Sequence, residues 1–209
     1  MYSAGINQQT LTTLDKIARI DIAKKYYLAG GTACALHLGH RQSSDLDFFS
    51  ESPLDPPIIR NQLISLGKLE IIQNDQGTFN GSLDTTKISF FVYPYQLLDK
   101  TENYHDIQIS SIRDLACMKL ESISSRGAKR DFIDLYFIAQ LYPLTEMFSW
   151  FETKFSGQQV SKTNVLKSLI YFEDARDDPM PIMHHLISWE KVKQYFLDIV
   201  PSIAHTWGL

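Results

Sequence analysis

Apolar positions along the chain change period near its middle, and the change separates the predicted elements into two groups. Leu11, Leu14, Ile17 and Ala18 recur at helical spacing and lead into a short apolar strand, Tyr26–Ala29. Gly30-Gly31-Thr32 comes next, followed by a helix-compatible stretch, Ala33–Leu38, and a second apolar run, Asp45–Phe49. Asp55-Pro56-Pro57 reads as an N-cap with proline in the first turn, opening a helix that closes at Gly67. The pattern then turns to strands. Lys68–Gln73, Thr78–Leu83 and Lys87–Tyr93 are short and rich in β-branched or aromatic residues, with hairpin turns at Asn74-Asp75-Gln76-Gly77 and Asp84-Thr85-Thr86. Tyr104–Ile109 adds one more short strand. From Ser111 onward helical periods dominate, near Ile112–Ser124, Lys129–Gln140, Thr145–Lys154, Lys162–Phe172 and Ser188–Ile199.

This order predicts an α+β protein: a mixed sheet with flanking helices over residues 1–110, then a helical lobe over 111–209. A length of 209 residues suffices for one good-sized domain or two small ones. Hydrophobic residues at 44% and charged residues at 21% place it among ordinary globular chains. No apolar run is long enough to span a bilayer, and Met1–Gly5 lacks the basic-then-apolar pattern of a signal peptide, so a cytoplasmic location is expected. Cys34 and Cys117 lie among alanine, leucine and methionine and read as small core residues. A net charge of −4 argues against a broadly basic nucleic-acid coat. Polyanion contact would therefore concentrate where Lys119, Arg126, Lys129 and Arg130 cluster.

Two motifs carry chemistry. Gly30-Gly31-Thr32 between a strand and a helix suits a phosphate grip, because glycine lets backbone approach an anion and the helix start offers N–H groups. Asp45 and Asp47 lie two apart in a strand, so both carboxylates leave one face, roughly 6.5–7 Å apart at the backbone. They can share a divalent cation, and magnesium completes its shell with substrate phosphates. Each motif alone is common on turns and solvated strands. Their order and spacing fit the first two strands of one unit.

The second half adds charges to apolar helices. Ser111-Ile112-Arg113-Asp114 reads as a capping box. The helix it opens places Lys119 on the face of Ile112, Leu115, Ala116 and Ile123, with Arg126 beyond. An unpaired ammonium there is costly, so Lys119 points into a polar pocket, at a carboxylate, or snorkels to the rim. Asp131 and Asp134 share a face of the next helix, which is apolar nearly all round; they belong to a site or to a structural ion-pair network. His184-His185, with acidic residues upstream, matches no zinc spacing and is read as non-ligating.

Leu28–Thr32, Asp45–Phe49, Ser89–Tyr95 and Asp114–Lys119 through Arg126 to Lys129–Tyr136, with a tail of Tyr171–Ala175, Pro181 and Trp189–Lys193, together resemble the AbiEii/AbiGii-type nucleotidyltransferases. The resemblance covers nearly the whole chain. It implies the polymerase-beta-like nucleotidyltransferase fold and magnesium- or manganese-dependent transfer of a nucleoside monophosphate from an NTP to an RNA (tRNA among them) or protein acceptor. It also implies a toxin of a bacterial toxin–antitoxin or phage-abortive system, with a cognate antitoxin protein as partner. Gly30, Gly31, Thr32 and Arg126 would bind the nucleotide, Asp45 and Asp47 the metal, and Lys119 and Asp131 would match the family's downstream catalytic pair. One departure stands out. The wider superfamily often takes a third metal carboxylate from a neighbouring strand, whereas Lys87–Tyr93 has none and offers Ser89. That leaves open a one-metal site, Asp131 as substitute, a catalytically degenerate binding protein, or a small-molecule nucleotidyltransferase of the antibiotic-modifying kind.

Overall fold

A computed structural model describes residues 1–75, 77–157 and 160–209. Helix α1 (Gln8–Ile17) precedes β1 (Tyr27–Ala29), α2 (Gly30–Leu38), β2 (Leu46–Ser50), α3 (Pro56–Ile64), β3 (Leu69–Asn74), β4 (Thr78–Leu83) and β5 (Thr86–Val92). A hairpin of β6 (Glu102–Tyr104) and β7 (Ile107–Ile109) leads to α4 (Ile112–Arg126), α5 (Lys129–Ala139), α6 (Leu144–Lys154), α7 (Lys162–Ser168) and α8 (Trp189–Thr206). The strands form one mixed seven-stranded sheet in the order β3-β4-β5-β2-β1-β7-β6. Strand β2 runs antiparallel to β1 and parallel to β5, which puts it at the centre.

Alternation along β2 decides what each sheet face does. Leu46, Phe48 and Ser50 are buried, whereas Asp47 and Phe49 are only partly so. The register aligns Leu28, Phe48, Phe90 and Phe79 across four strands, all wholly buried, with Phe48 stacked on Phe90 at 4.9 Å. The next row, Ala29, Asp47, Ser89 and Asn80, faces the other way. A slip of one residue would exchange the two faces and bury Asp47 among phenylalanines.

Local chemistry sets the helix ends. The Ser111 hydroxyl accepts from the Asp114 backbone N–H at 3.1 Å, and Asp114 in turn accepts from that hydroxyl and from Lys154 Nζ at 2.7 Å, so the capping box doubles as the anchor of α6. Gly127 ends α4 in the left-handed region, φ +55°, and its N–H reaches the carbonyls of Ser122 and Ile123. Helix α2 packs on the sheet and against α4 and α5, so the apolar core runs continuously from sheet to helices.

Several expectations shift. Tyr104–Ile109 is a hairpin rather than one strand, because His105 and Asp106 both take positive φ, 50° and 60°, and reverse the chain in two residues. Helix α8 continues through Pro201 to Thr206 instead of ending at Ile199. Helix α7 closes at Ser168, four residues short of Phe172. Gln76, in the turn between β3 and β4, lies outside the described residues. Cys34 and Cys117 are core residues, and burial pushes both thiols up to about 12. Among the described residues no helix is long and apolar enough to cross a membrane.

Candidate active site

The polar face of the sheet and helix α4 enclose a cleft of about 830 Å³, closed on one side by Asp178–Ile182 returning from the helical region. Asp45, at the mouth of β2, and Asp47, within it, both line this cleft, as do Gly30 and Gly31. The glycines are required by contact. Gly30 has φ +66°, and a Cβ there would sit 3.1 Å from the Asp47 carboxylate; one on Gly31 would sit 2.7 Å from the Arg41 guanidinium. The backbone at the start of α2 therefore comes close to an acid on one side and a base on the other.

Asp45 and Asp47 enter no ion pair among the described residues. Burial raises the Asp47 pKa above the ordinary carboxylate value and Asp45 raises it further, against the Ser89 hydroxyl and the charges of Lys87 and Lys119. Two neighbouring carboxylates without a cationic partner suit a divalent cation. Among the described residues no group of three or more His, Cys, Asp or Glu gathers, so the donor set fits a hard ion that takes two carboxylates and completes its shell with phosphate oxygens.

Facing these acids is a wall of cations backed by a different pair. Lys119 Nζ contacts Asp131 at 2.8 Å and Asp134 at 2.6 Å. Arg126 reaches Asp131 through Nε at 2.8 Å and Nη2 at 3.1 Å. Arg41 forks onto Asp134 at 2.6 and 2.8 Å, and His40 Nε2 meets the same carboxylate at 2.8 Å. Lys119, Arg126 and Arg41 line the cleft; Asp131 and Asp134 are 0% exposed behind them. Burial opposes charge on Lys119, but Asp131 and Asp134 outweigh it and hold the pKa above that of an ordinary lysine. Burial likewise acts against both carboxylates. Lys119 and Arg126 keep Asp131 below its usual value, and Arg41 and Lys119 keep Asp134 well below it. His40 is pushed down by burial and stays neutral at pH 7, so three cations on two anions leave a surplus positive charge facing the cleft.

The structure thus brings together Gly30, Gly31, Asp45, Asp47, Lys119 and Arg126, and places Thr32 and Asp131 away from the cleft surface. Thr32 does not present its hydroxyl to the cleft: it is 1% exposed, donates to the Asp45 backbone carbonyl and is hydrogen-bonded to the Ser43 hydroxyl, fixing the loop that carries Asp45. Asp131 does not line the cleft, and both of its oxygens accept from Lys119 or Arg126. Lys129 also leaves the expected polyanion patch. It is buried against Trp189 and donates to the carbonyls of Asp178 and Arg176, while Arg126 and Arg130 stay exposed. His184 hydrogen-bonds the Ala4 carbonyl at 2.8 Å.

Sequence reasoning missed Arg41 and His40. The polar run His40–Ser44 gave no sign of the aspartate more than ninety residues away that both would meet. It also missed Asp178–Ile182, which is held over the cleft by the Gln42 N–H bond to the Ile182 carbonyl at 2.8 Å and by an Arg41–Met183 bridge.

A glycine turn, a strand pair of carboxylates and a cationic wall in one cleft define the class of nucleotidyltransferases. Residues 13–184 match the family model described as "Nucleotidyl transferase AbiEii toxin, Type IV TA system", and the chain belongs to that family. An uncharacterized protein of Aquifex aeolicus (strain VF5), aq_aa25, is 35% identical over 197 residues, covering 91% of this chain and 94% of that one. Among solved structures, JHP933 from Helicobacter pylori shares the fold with a TM-score of 0.52 at 14% identity, over 97% of this chain and 98% of that chain. MenT4, a nucleotidyltransferase toxin from Mycobacterium tuberculosis H37Rv, gives a TM-score of 0.55 at 12% identity, over 91% of this chain and 83% of that chain.

Proposed function

We propose that this protein transfers a nucleoside monophosphate from an NTP to a hydroxyl of RNA, with magnesium or manganese as cofactor and release of pyrophosphate. The observation that carries this reading is the juxtaposition of two carboxylates, Asp45 and Asp47, that enter no ion pair among the described residues with the cationic wall of Arg41, Lys119 and Arg126 in a single cleft. Asp45 and Asp47 would hold the ion, which when bound neutralises phosphate charge. The backbone at Gly30 and Gly31 can approach the triphosphate, and the three cations face the charge that builds as the acceptor oxygen bonds to the α-phosphorus and the bond to pyrophosphate breaks. Lys119 and the arginines need no reorganisation for this, since Asp131 and Asp134 already fix them. Exposed Arg130 and Lys87 at the cleft support a phosphate-rich acceptor. The family's toxin–antitoxin setting supports a cognate antitoxin protein as partner.

The test is label transfer. Wild-type protein incubated with each α-labelled NTP, magnesium and total cellular RNA is expected to label RNA, and Asp47→Asn is expected to abolish the signal. Absence of label on RNA with all four NTPs, or full activity in the variant, would overturn the assignment.

A further inference from the structure

The two neighbours of β2 in the sheet give Asp45 and Asp47 opposite surroundings. On one side β1 ends in the Gly30–Gly31 turn, whose backbone comes so near the Asp47 carboxylate that a Cβ on Gly30 would sit 3.1 Å from it. On the other side β5 runs parallel to β2, with Ile88 beside Leu46 and Ser89 beside Asp47. Alternation along β5 turns Ile88 and Phe90 into the core and leaves Lys87, Ser89 and Phe91 to line the cleft. Lys87 thus lies one strand across and one repeat back from Asp47, roughly 8 Å away between backbones. It is exposed and, among the described residues, enters no ion pair and no side-chain hydrogen bond, whereas Arg41, Lys119 and Arg126 are each tied to Asp131 or Asp134.

In-line displacement puts the attacking oxygen and the leaving pyrophosphate on opposite sides of the α-phosphorus. With the triphosphate at the glycine turn on the β1 flank, the acceptor hydroxyl comes from the β5 flank, where Lys87 stands. A two-ion site clamps both oxygens with cations about 3.5–4 Å apart. On this flank, however, β5 offers a second ion one hydroxyl, one ammonium and one phenyl ring, and no carboxylate. The other acids of the cleft lie elsewhere: Glu121 on α4, and Asp178 in the segment over the cleft, where its Oδ2 already accepts from the Lys129 N–H at 2.9 Å. A second dication would have to share the same two aspartates with the first and sit against the like charge of Lys87.

We infer that the site works with one divalent ion, held by Asp45 and Asp47, and that the Lys87 ammonium is the acceptor-side cation in place of a second. Lys87 donates to the acceptor oxygen and neutralises the charge that oxygen carries as its bond to the α-phosphorus forms and the bond to pyrophosphate breaks; the hydroxyl proton leaves to water. A flexible stem and three rotatable donors let one exposed lysine follow that oxygen. This inference rests on the nucleotidyltransferase reading above and adds to it the number of ions and the residue on the acceptor side.

The experiment uses the full chain with manganese and the α,β-methylene analogue of whichever NTP labels RNA. Electron paramagnetic resonance distinguishes an isolated manganese ion from a spin-coupled pair. Wild-type protein is expected to show the isolated ion at every manganese concentration. Lys87→Asp puts a third carboxylate on the β5 flank and is expected to bring in a second ion, read as the closely spaced hyperfine lines of a coupled pair. Lys87→Met removes an ammonium that bonds nothing in the protein, so its melting temperature is expected to match the wild type. It is expected to bind the analogue within about two-fold of wild type while transfer to RNA at saturating NTP falls about ten- to hundred-fold, the order of one hydrogen bond to a charged group. A coupled pair in the wild type, an isolated ion in Lys87→Asp, or a Lys87→Met variant that keeps full transfer or loses analogue affinity in step with transfer would overturn the inference and leave the transfer reading in place. Absence of label on RNA with all four NTPs would overturn both.

Discussion

Two pairs of aspartates occupy this protein, and they have opposite fates. Asp131 and Asp134, three residues apart on α5, are buried completely and saturated by Lys119, Arg126, Arg41 and His40. Asp45 and Asp47, two apart at β2, line an open cleft and enter no ion pair among the described residues. The difference shows in their protons: Asp134 is held far below the ordinary carboxylate value, while Asp47 is pushed above it. The first pair spends its charge on the fold, and the second keeps its charge for something the chain itself does not supply. Spacing in sequence does not separate these cases; what separates them is which partners the topology brings up behind each carboxylate.

The largest effect that would break this contrast is expected at Asp134. Asp134→Ala leaves Lys119 and Arg41 buried beside a single remaining acid, and the loss is about 3–5 kcal/mol, the cost of removing one partner from a buried ion network. Denaturant unfolding checks it. A loss near 1 kcal/mol, within the ordinary range for a point mutation, would mean that water reaches the network and that its charges do not depend on one another.

Asp47→Asn should do the reverse. Removing a charge that the folded protein disfavours is expected to leave unfolding stability unchanged or raised, while label transfer falls on the order of 10²–10³-fold, as when a group acting on transition-state charge is removed. Paired unfolding and transfer assays separate the two pairs: a stability loss at Asp47 comparable to that at Asp134 would make both of them scaffold.

Much of the phosphate and carboxylate half was legible in the sequence because its signals are local. Gly30-Gly31 mark a turn, and alternation along Leu46–Ser50 alone assigns Asp47 and Phe49 to one face and Phe48 to the other. The cationic wall was half legible. Lys119 on an apolar helix face left a polar pocket, a carboxylate or the rim open, and Asp131 lay close enough in sequence to be one candidate partner. Arg41 was hidden because its partner is 93 residues away and its own surroundings are polar. Thr32 misled for a related reason: a hydroxyl after two glycines looks like a phosphate donor until the packing of α2 turns it toward the Asp45 carbonyl. The β6–β7 hairpin escaped because His105 and Asp106, rather than glycine or asparagine, take the positive φ angles.

Acid should sharpen the same contrast with a smaller effect. Asp131 and Asp134 have folded pKa values below the unfolded value near 4, so their contribution is complete above about pH 4 and is lost as the pH falls through the folded values. Asp47 has a raised folded pKa, so its penalty is complete above that value and is relieved as the pH falls through it toward 4. Unfolding free energies between pH 3 and pH 8 are expected to show any advantage of Asp47→Asn over wild type vanishing as the pH falls to about 4. The deficit of Asp134→Asn should instead hold constant down to that point and shrink only below it. A deficit that already shrinks at pH 6 would show that Asp134 titrates as an ordinary or raised acid and is not saturated.

The smallest effect concerns two adjacent basic residues that sequence treats alike. Arg130 is exposed at the cleft, whereas Lys129 is buried over Trp189 and bonded to the Asp178–Ile182 approach. If RNA enters past Arg130, Arg130→Gln removes one phosphate contact, and the salt slope of RNA binding falls by about 0.7, the single-strand value per contact. Its melting temperature is expected to stay at the wild-type value. Lys129→Gln is expected to lower the melting temperature, because the carbonyls of Arg176 and Asp178 lose their donor. Its salt slope should stay the same wherever the protein remains folded. The comparison fails if Lys129→Gln flattens the slope and Arg130→Gln does not, since a buried ammonium would then have to leave Trp189 to meet the RNA, and the approach over the cleft would have to open with it.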